Sequence, residues 1–318
     1  MTSETAAQRA PLTTSRPLDQ ASPHGRSLDD AGSLGYLVRQ ALSRSIAQIA
    51  QHEPGVRSGL DPEDVHQFRV GLRRLHSDLR TFAPLMRPRP RRGLGKELRW
   101  LGRAVGPVRD GDVLAKALEA DARRLPRADP QEVALLSARL TTQNDSARAI
   151  MLGELESDRF GALSATLRDL AEMPPLRSKL VHLVGEPASE VAAEFVKKPW
   201  HELDTDVERL GTAPTDASLH GVRILVKRCR YAAEAVGPSV AGAAEFAKAL
   251  ASVQTVLGDH HDTVVAEAWL TDAVRDSPGL ARLAYDLILR QRSKRARARA
   301  KWPTSWNRAS AEELRTWL

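Results

Sequence analysis

The sequence predicts an all-α protein, and three observations carry that prediction. From Asp29 onward apolar residues recur at helical spacing, with no stretch of strand-like alternation. Prolines fall in the gaps between the periodic stretches, at Pro84, Pro126, Pro174-Pro175, Pro187, Pro214, Pro238 and Pro278, where helix breakers belong. Aromatic residues make up only 4% of the chain, so its core must rest on Leu, Val and Ala, which suit helix packing. Many helices joined by short connections imply antiparallel neighbours, and hence bundles.

Composition bounds the rest. At 318 residues the chain is long enough for one large domain or two ordinary ones. A hydrophobic content of 42% with 27% charged residues belongs to a soluble globular protein. The net charge of +7 favours an acidic partner. A single cysteine, Cys229, excludes an intrachain disulfide framework and a cysteine-based zinc site. No apolar run approaches the roughly 18 residues of a membrane span, and the N-terminus lacks a charged-then-apolar signal pattern. A cytoplasmic protein without a membrane partner is the expectation.

Residues 1–28 are Ser, Thr, Pro, Ala and Arg with almost no bulky apolar groups, a composition expected to stay disordered. Leu34, Leu37, Val38, Leu42, Ile46 and Ile49 then form an apolar stripe, and the helix they predict is expected to stop near Glu53-Pro54-Gly55. Asp61-Pro62-Glu63-Asp64 supplies an N-cap, a proline at the first helical position and acidic groups on the positive helix end. Further helices are predicted over 91–105, 109–124, 131–172, 188–210, 216–236, 241–256, 262–276 and 279–301. The segment 303–318 is expected to be a short helical extension.

The helix opened by Asp61 carries the most informative pattern. It reads Val65-His66-Gln67-Phe68-Arg69-Val70-Gly71-Leu72-Arg73-Arg74-Leu75-His76, and a second stretch reads Leu219-His220-Gly221-Val222-Arg223-Ile224-Leu225-Val226-Lys227-Arg228-Cys229-Arg230. Each begins with His, and basic groups follow in the same register. On a helical wheel Val65, Phe68, Leu72, Leu75, Leu79 and Phe82 fill one arc, and His66, Arg69, Arg73, His76 and Arg80 the neighbouring one. His220, Arg223, Lys227 and Arg230 repeat the arrangement beside Leu219, Val222, Val226, Cys229 and Ala233. A lone stripe of this kind is usually a solvated face. Two in register, with no carboxylate placed at i+4 in the first, predict a binding surface instead. From His66 to Arg80 the row is about 21 Å long, too long for one phosphate and suited to a polymer. Arg offers a planar fork matched to phosphate oxygens and Lys a compact charge.

The duplication extends downstream. Lys96 to Asp110 aligns with Lys248 to Asp262 at one constant offset, with Lys, Leu, Gly and Asp matching in order. Two related half-domains follow, about 29–185 and about 186–302.

The two stripes, with LRWLGRAVGPVRDGDVL and VLGDHHDTVVAEAWL after them, resemble the signature segments of CHAD domains, the conserved-histidine α-helical domains. The resemblance runs from about Asp29 to Trp302. It implies two pseudo-symmetric four-helix bundles around a basic groove, non-catalytic binding of inorganic polyphosphate, and an association with polyphosphate granules. Position by position it marks His66, Arg69, Arg73, Arg74, His220, Arg223, Lys227, Arg228 and Arg230 as ligand groups. His76 and Arg80 extend the first row, and Lys96, Arg99 and Arg103 are additions on the following helix. His76 and Leu225 depart from the family pattern, where basic residues are common, and so does His260-His261. Fewer fixed charges imply weaker binding, or binding that tightens between pH 8 and pH 6 as His66 and His220 protonate. No cofactor and no metal is implied; other polyanions are possible ligands.

Two alternatives stand beside that reading. Asp259-His260-His261-Asp262 contains the DHH and HD strings of metal-dependent phosphohydrolases, although as sequence it reads more simply as a capped helix N-terminus. Arg290, Arg292, Lys294, Arg295, Arg297, Arg299 and Lys301 form a basic run with no acid among them, able to extend the groove or to bind nucleic acid independently. Trp302, Trp306 and Trp317 are expected to pack a terminal helix rather than stack on bases. The Glu-x-Glu-x-Lys strand motif of a fused triphosphatase is absent, and Cys229 on the apolar arc reads as packing.

Overall fold

The computed structural model describes residues 30–126 and 128–318; the tail expected over 1–28 lies outside them. Among the described residues the chain is all-α, with no strand. Ser33 caps α1 (Leu34–Ser58) by accepting from the Tyr36 N–H at 3.1 Å. The helix continues through Pro54 and Gly55, beyond its expected stop. Fully buried Val56 anchors the last turn, and the end comes at Gly59, whose positive φ of 68° forms the C-cap. Asp61 caps α2 (Pro62–Thr81), with Pro62 in the first turn as the sequence indicated.

Two pairs of predicted helices are each one continuous element. α3 (Pro88–Ala122) passes through Pro107, because buried Val105 and Val108 hold the helix on either side of the missing N–H. α10 (Ala243–Asp276) passes through the Gly258-Asp259-His260-His261 segment, since Val253, Leu257, His260 and Thr263 form one buried face. Conversely, the stretch 131–172 is divided into α4 (Pro130–Glu156) and α5 (Asp158–Glu172) by Ser157, which caps α5 through Phe160 N–H. Short α6 (Val181–Gly185) and α7 (Ala188–Val191) precede α8 (Glu194–Glu208). Thr215 caps α9 (Asp216–Val236), the second basic helix, whose bounds are those predicted. α11 (Ala281–Ala309) runs past Lys301 and through Pro303, held by buried Trp302 and Trp306.

Two hydrophobic clusters result, and neither belongs to one half of the sequence. The larger joins α1, α2, α5, α8 and α9 with the first halves of α3 and α10 and the last turns of α11. The smaller is built from Leu118 of α3, Leu136 and Leu140 of α4, Leu270 of α10 and Leu287 of α11. α3 and α10, with 35 and 34 residues, therefore run from one cluster into the other. The closing tryptophans pack as expected. Trp306 stacks on Trp200 with centroids 5.6 Å apart, and Trp317 meets Phe246 edge-on at 5.8 Å. No helix among the described residues is long and apolar enough to cross a membrane.

α1 and α2 approach closely at Gly71, where a Cβ would lie 2.8 Å from Ile49 Cγ1. That contact sets the roll of α2. Val65, Phe68, Leu72, Leu75 and Leu79 turn into the core, and the basic arc faces α9 and the middle of α3.

Candidate functional site

The two basic helices meet along a cleft of about 690 Å³. α2 supplies His66, Arg69 and Arg73, and α9 supplies Arg223 and Lys227. α3 adds Arg109 and Asp110, α10 adds Asp259, His261 and Asp262, and α11 adds Lys294, Arg297 and Lys301. Eight Arg and Lys side chains thus face three carboxylates, an excess of five positive charges before any histidine is protonated.

Arg69 is held in place: its Nη1 donates to the Gly106 carbonyl at 2.7 Å and to Asp110 at 2.8 Å. Arg73, Arg223 and Lys227 make no ion pair among the described residues, and the Nε–H groups of both arginines are buried without an acceptor. Their proximity has an electrostatic cost. Burial, reinforced by Arg223, Arg73 and Arg69, pulls the Lys227 ammonium down to about 8. Burial also lowers Arg223, with Asp262 and Asp110 opposing and Arg73 and Arg69 adding. Asp262 is raised, first by burial.

The histidines occupy three different settings. His66 lines the cleft, and burial with Arg109 and Arg73 beside it holds it below the ordinary imidazole value. It therefore gains charge only at lower pH than the sequence suggested, which moves its share of any acid-strengthened binding downward. His220 faces His261 with their Nδ1 atoms 3.2 Å apart and ring centroids 4.6 Å apart. One ring must donate and the other accept, so the pair cannot hold its contact when both are charged. Burial and then Arg223 push His261 down to about 4. His260 is buried, bonded through Nε2 to Asp216 at 3.0 Å.

The Asp259–Asp262 segment is consequently no helix N-terminus. It sits in the middle of α10, where neither aspartate caps anything. Among the described residues no group of three or more His, Cys, Asp or Glu side chains is arranged to share a metal ion. Cys229 is buried and its thiol is raised by burial, as a packing residue's would be.

Other residues of the two stripes lie outside the cleft. Arg74 and Arg230 both reach Glu234, each at 3.4 Å, and Arg230 covers the Tyr231 ring. Arg228 pairs with Glu202, and Arg80 is lowered first by burial and then by Arg228 beside it, with Glu202 opposing. His76 neighbours Arg99 and Arg80 and is lowered by burial and by those charges. Lys96, Arg99 and Arg103 are exposed on α3.

The C-terminal run, acid-free in sequence, is largely neutralised by other helices. Buried Asp121 of α3 binds Arg290 and Lys294; Glu267 of α10 binds Arg292 and Arg295; Asp216 of α9 binds Arg295 and Arg299. Arg297 and Lys301 make no such pair among the described residues, and both line the cleft. Arg109 is the wall residue that the sequence reading passed over. Its signal was its position next to Asp110, within the segment repeated at Asp262.

Comparison with known proteins agrees with this architecture. The CHAD domain family model matches residues 40–271. Two uncharacterised proteins of Mycobacterium tuberculosis, from two strains, are each 29% identical over 266 residues, covering 80% of this chain and 49% of theirs. The chain thus spans about half the length of the curated relatives it matches. Among solved structures, PptA from Streptomyces chartreusis superposes with a TM-score of 0.73 at 22% identity, over 87% of this chain and all of that one. The CHAD domain from the plant Ricinus communis superposes with a TM-score of 0.64 at 26% identity, over 93% of this chain and 96% of that domain.

Proposed function

Because this chain belongs to the CHAD domain family, we propose that it binds inorganic polyphosphate, non-catalytically, in the cleft between α2 and α9. The observation that carries this reading is the set of half-buried cations there without an ion pair among the described residues: Arg73, Arg223 and Lys227, with Arg69 fixed beside them. Phosphate oxygens supply the acceptors that the two buried guanidinium Nε–H groups lack. A flexible chain with one negative charge per unit can follow the cleft and reach the exposed cations beyond it, including Arg99 and Arg103.

The cleft alone takes a short run of phosphates. The row of about 21 Å from His66 to Arg80 gives the chain a longer path. A role at cytoplasmic polyphosphate granules follows from such a module and requires no catalytic group. The pairing of most of the C-terminal run favours this reading over an independent nucleic-acid surface. The engagement of His260 with Asp216, and of His261 with His220, favours it over a phosphohydrolase built on the Asp259–Asp262 segment.

Titration with long-chain polyphosphate at moderate salt tests the proposal. Saturable binding is expected, weakened at least about tenfold by Arg69→Ala combined with Arg223→Ala. Equal affinity for single-stranded DNA of matched charge would reject it, as would metal-dependent phosphate release abolished by His261→Ala.

A further inference from the structure

A second cavity, of about 530 Å³, lies where α1, α2, α9 and α10 converge, and none of its lining residues lines the polyanion cleft. We propose that it is a separate site for a compact phosphate monoester, a single phosphate group carrying a small apolar body.

Four donors converge on it, one from each helix: Arg44 of α1, Arg74 of α2, Tyr231 of α9 and Lys248 of α10. Arg44 and Lys248 make no ion pair among the described residues. Arg74 shares Glu234 with Arg230 at the long distance of 3.4 Å, so that carboxylate is already spent on two guanidiniums. The Tyr231 hydroxyl is the more telling group. Its side chain is 5% exposed, it lines the cavity, and its oxygen is buried with no hydrogen-bond partner. A buried hydroxyl without a partner destabilises the empty protein, a cost that a ligand oxygen removes.

The chemistry of the wall selects the ligand. Three cations and a hydroxyl suit the three terminal oxygens of a phosphate monoester better than the two of a carboxylate. Ala41, Ala235, Ala244, Ala247 and Ala251, with Pro238, leave room beside those donors and offer only methyl and methylene surface. That surface favours an apolar body and gives no acceptor or donor for a second phosphate. Asp78 lines the same cavity, bonded to Ser45 at 2.8 Å and raised by burial to about 7. Near neutral pH it is therefore about half protonated and can take up a proton as an anion enters, so it repels that anion less than an ordinary aspartate would.

The site is independent of the cleft in its residues but adjacent in structure. Arg73 points into the cleft and Arg74 into the cavity, so consecutive residues of α2 serve different ligands. The two occupancies can thus be separated by mutation.

Phenyl phosphate and orthophosphate are the probes, titrated calorimetrically into the intact protein, with long-chain polyphosphate as the second ligand. Phenyl phosphate is expected to saturate one site and to bind about fivefold or more tighter than orthophosphate, because its ring rests on the alanines. Arg44→Ala with Lys248→Ala should weaken phenyl phosphate at least about tenfold, and Tyr231→Phe severalfold, with polyphosphate affinity kept within about twofold. Circular dichroism confirms that each variant is folded. The proposal is overturned if phenyl phosphate does not saturate. It is also overturned if phenyl phosphate survives the double substitution, or is lost instead in Arg69→Ala with Arg223→Ala. Loss of polyphosphate binding alone rejects the cleft and leaves this site standing.

Discussion

Lys227 offers the sharpest test of the cleft, because its charge is set by the neighbours that a polyanion would compensate. In the free protein burial, then Arg223, Arg73 and Arg69, hold its ammonium down at about 8, with Asp262 opposing. A bound polyphosphate raises that value back toward the ordinary lysine range, so binding above pH 8 takes up a proton and affinity falls as pH rises. With a free value of about 8, the charged fraction of Lys227 drops about tenfold between pH 7 and pH 9. Affinity for long-chain polyphosphate should drop by about the same factor. Lys227→Arg, which stays charged throughout, should make the profile flat. His66, His76, His260 and His261 are all held below the ordinary imidazole value and do not titrate in this window. Asp78, at about 7, lies outside the cleft and contributes equally to both proteins. The measurement is calorimetric titration at constant ionic strength in two buffers of different ionisation enthalpy, which counts the proton directly. Parallel profiles for the wild type and Lys227→Arg, or a flat wild type, would refute the reasoning.

Further expectations concern salt and stability. An excess of five cationic groups in the cleft predicts a log–log salt slope of about −3.5 to −4.5 for polyphosphate binding, reduced by roughly one in Arg223→Ala. A slope near zero would mean that the cations are not the contact. Gly71→Ala places a methyl 2.8 Å from Ile49 Cγ1 and 3.1 Å from the Ile49 backbone nitrogen. Overpacking of about 1–3 kcal/mol, less a helix-propensity gain of about 1 kcal/mol, should show in urea denaturation as a net loss of up to roughly 2 kcal/mol. Asp78 binds its proton more tightly folded than unfolded, so stability falls as pH rises from about 4 to about 7. Asp78→Asn should remove that fall and stabilise the protein at pH 8 relative to wild type, by at most roughly 4 kcal/mol. Identical pH–stability curves for the two proteins would show that the carboxyl is not the cause.

Local signals were legible where chain chemistry alone decides. The Asp61-Pro62 start of α2 and both ends of α9 could be read directly, because a capping side chain or a proline acts within a few residues. Part of the cleft wall was legible too: the arcs marked His66, Arg69, Arg73, Arg223 and Lys227, whereas Arg74, His76, Arg80, His220, Arg228 and Arg230 of the same stripes do not line it. What escaped the sequence was decided by distant packing. Pro107 and the Gly258 segment carry the marks of helix ends, but long helices buried at both clusters pass through them. The charge balance of the C-terminal run was equally invisible. Its neutralising carboxylates, Asp121, Asp216 and Glu267, stand on three other helices, and no spacing rule along α11 could find them.

That last point separates a binding cleft from a merely basic protein. Elsewhere in the two stripes and in the C-terminal run several cations have a carboxylate: Arg74 has Glu234, Arg228 has Glu202, Arg290 has Asp121 and Arg299 has Asp216. A solvated face or a set of stems covering the core would gain nothing by excluding such partners from α2 and α9. At Arg73, Arg223 and Lys227, inside the cleft, there is no such pair among the described residues. Arg73, Arg223 and Lys227 stand within one another's fields, two of them with buried donors unbonded and the third with its charge weakened by burial and its neighbours. The nearby aspartates relieve this only in part, since Asp110 is taken by Arg69 and Asp262 is itself raised by burial. Mutual repulsion and unbonded donors are costs in the empty protein, and both are removed together by a ligand that brings several negative charges and many acceptor oxygens. A single small anion would satisfy one guanidinium and leave the rest. A polymer would satisfy them all, so the proposed ligand class rests on the unpaired set rather than on the net charge.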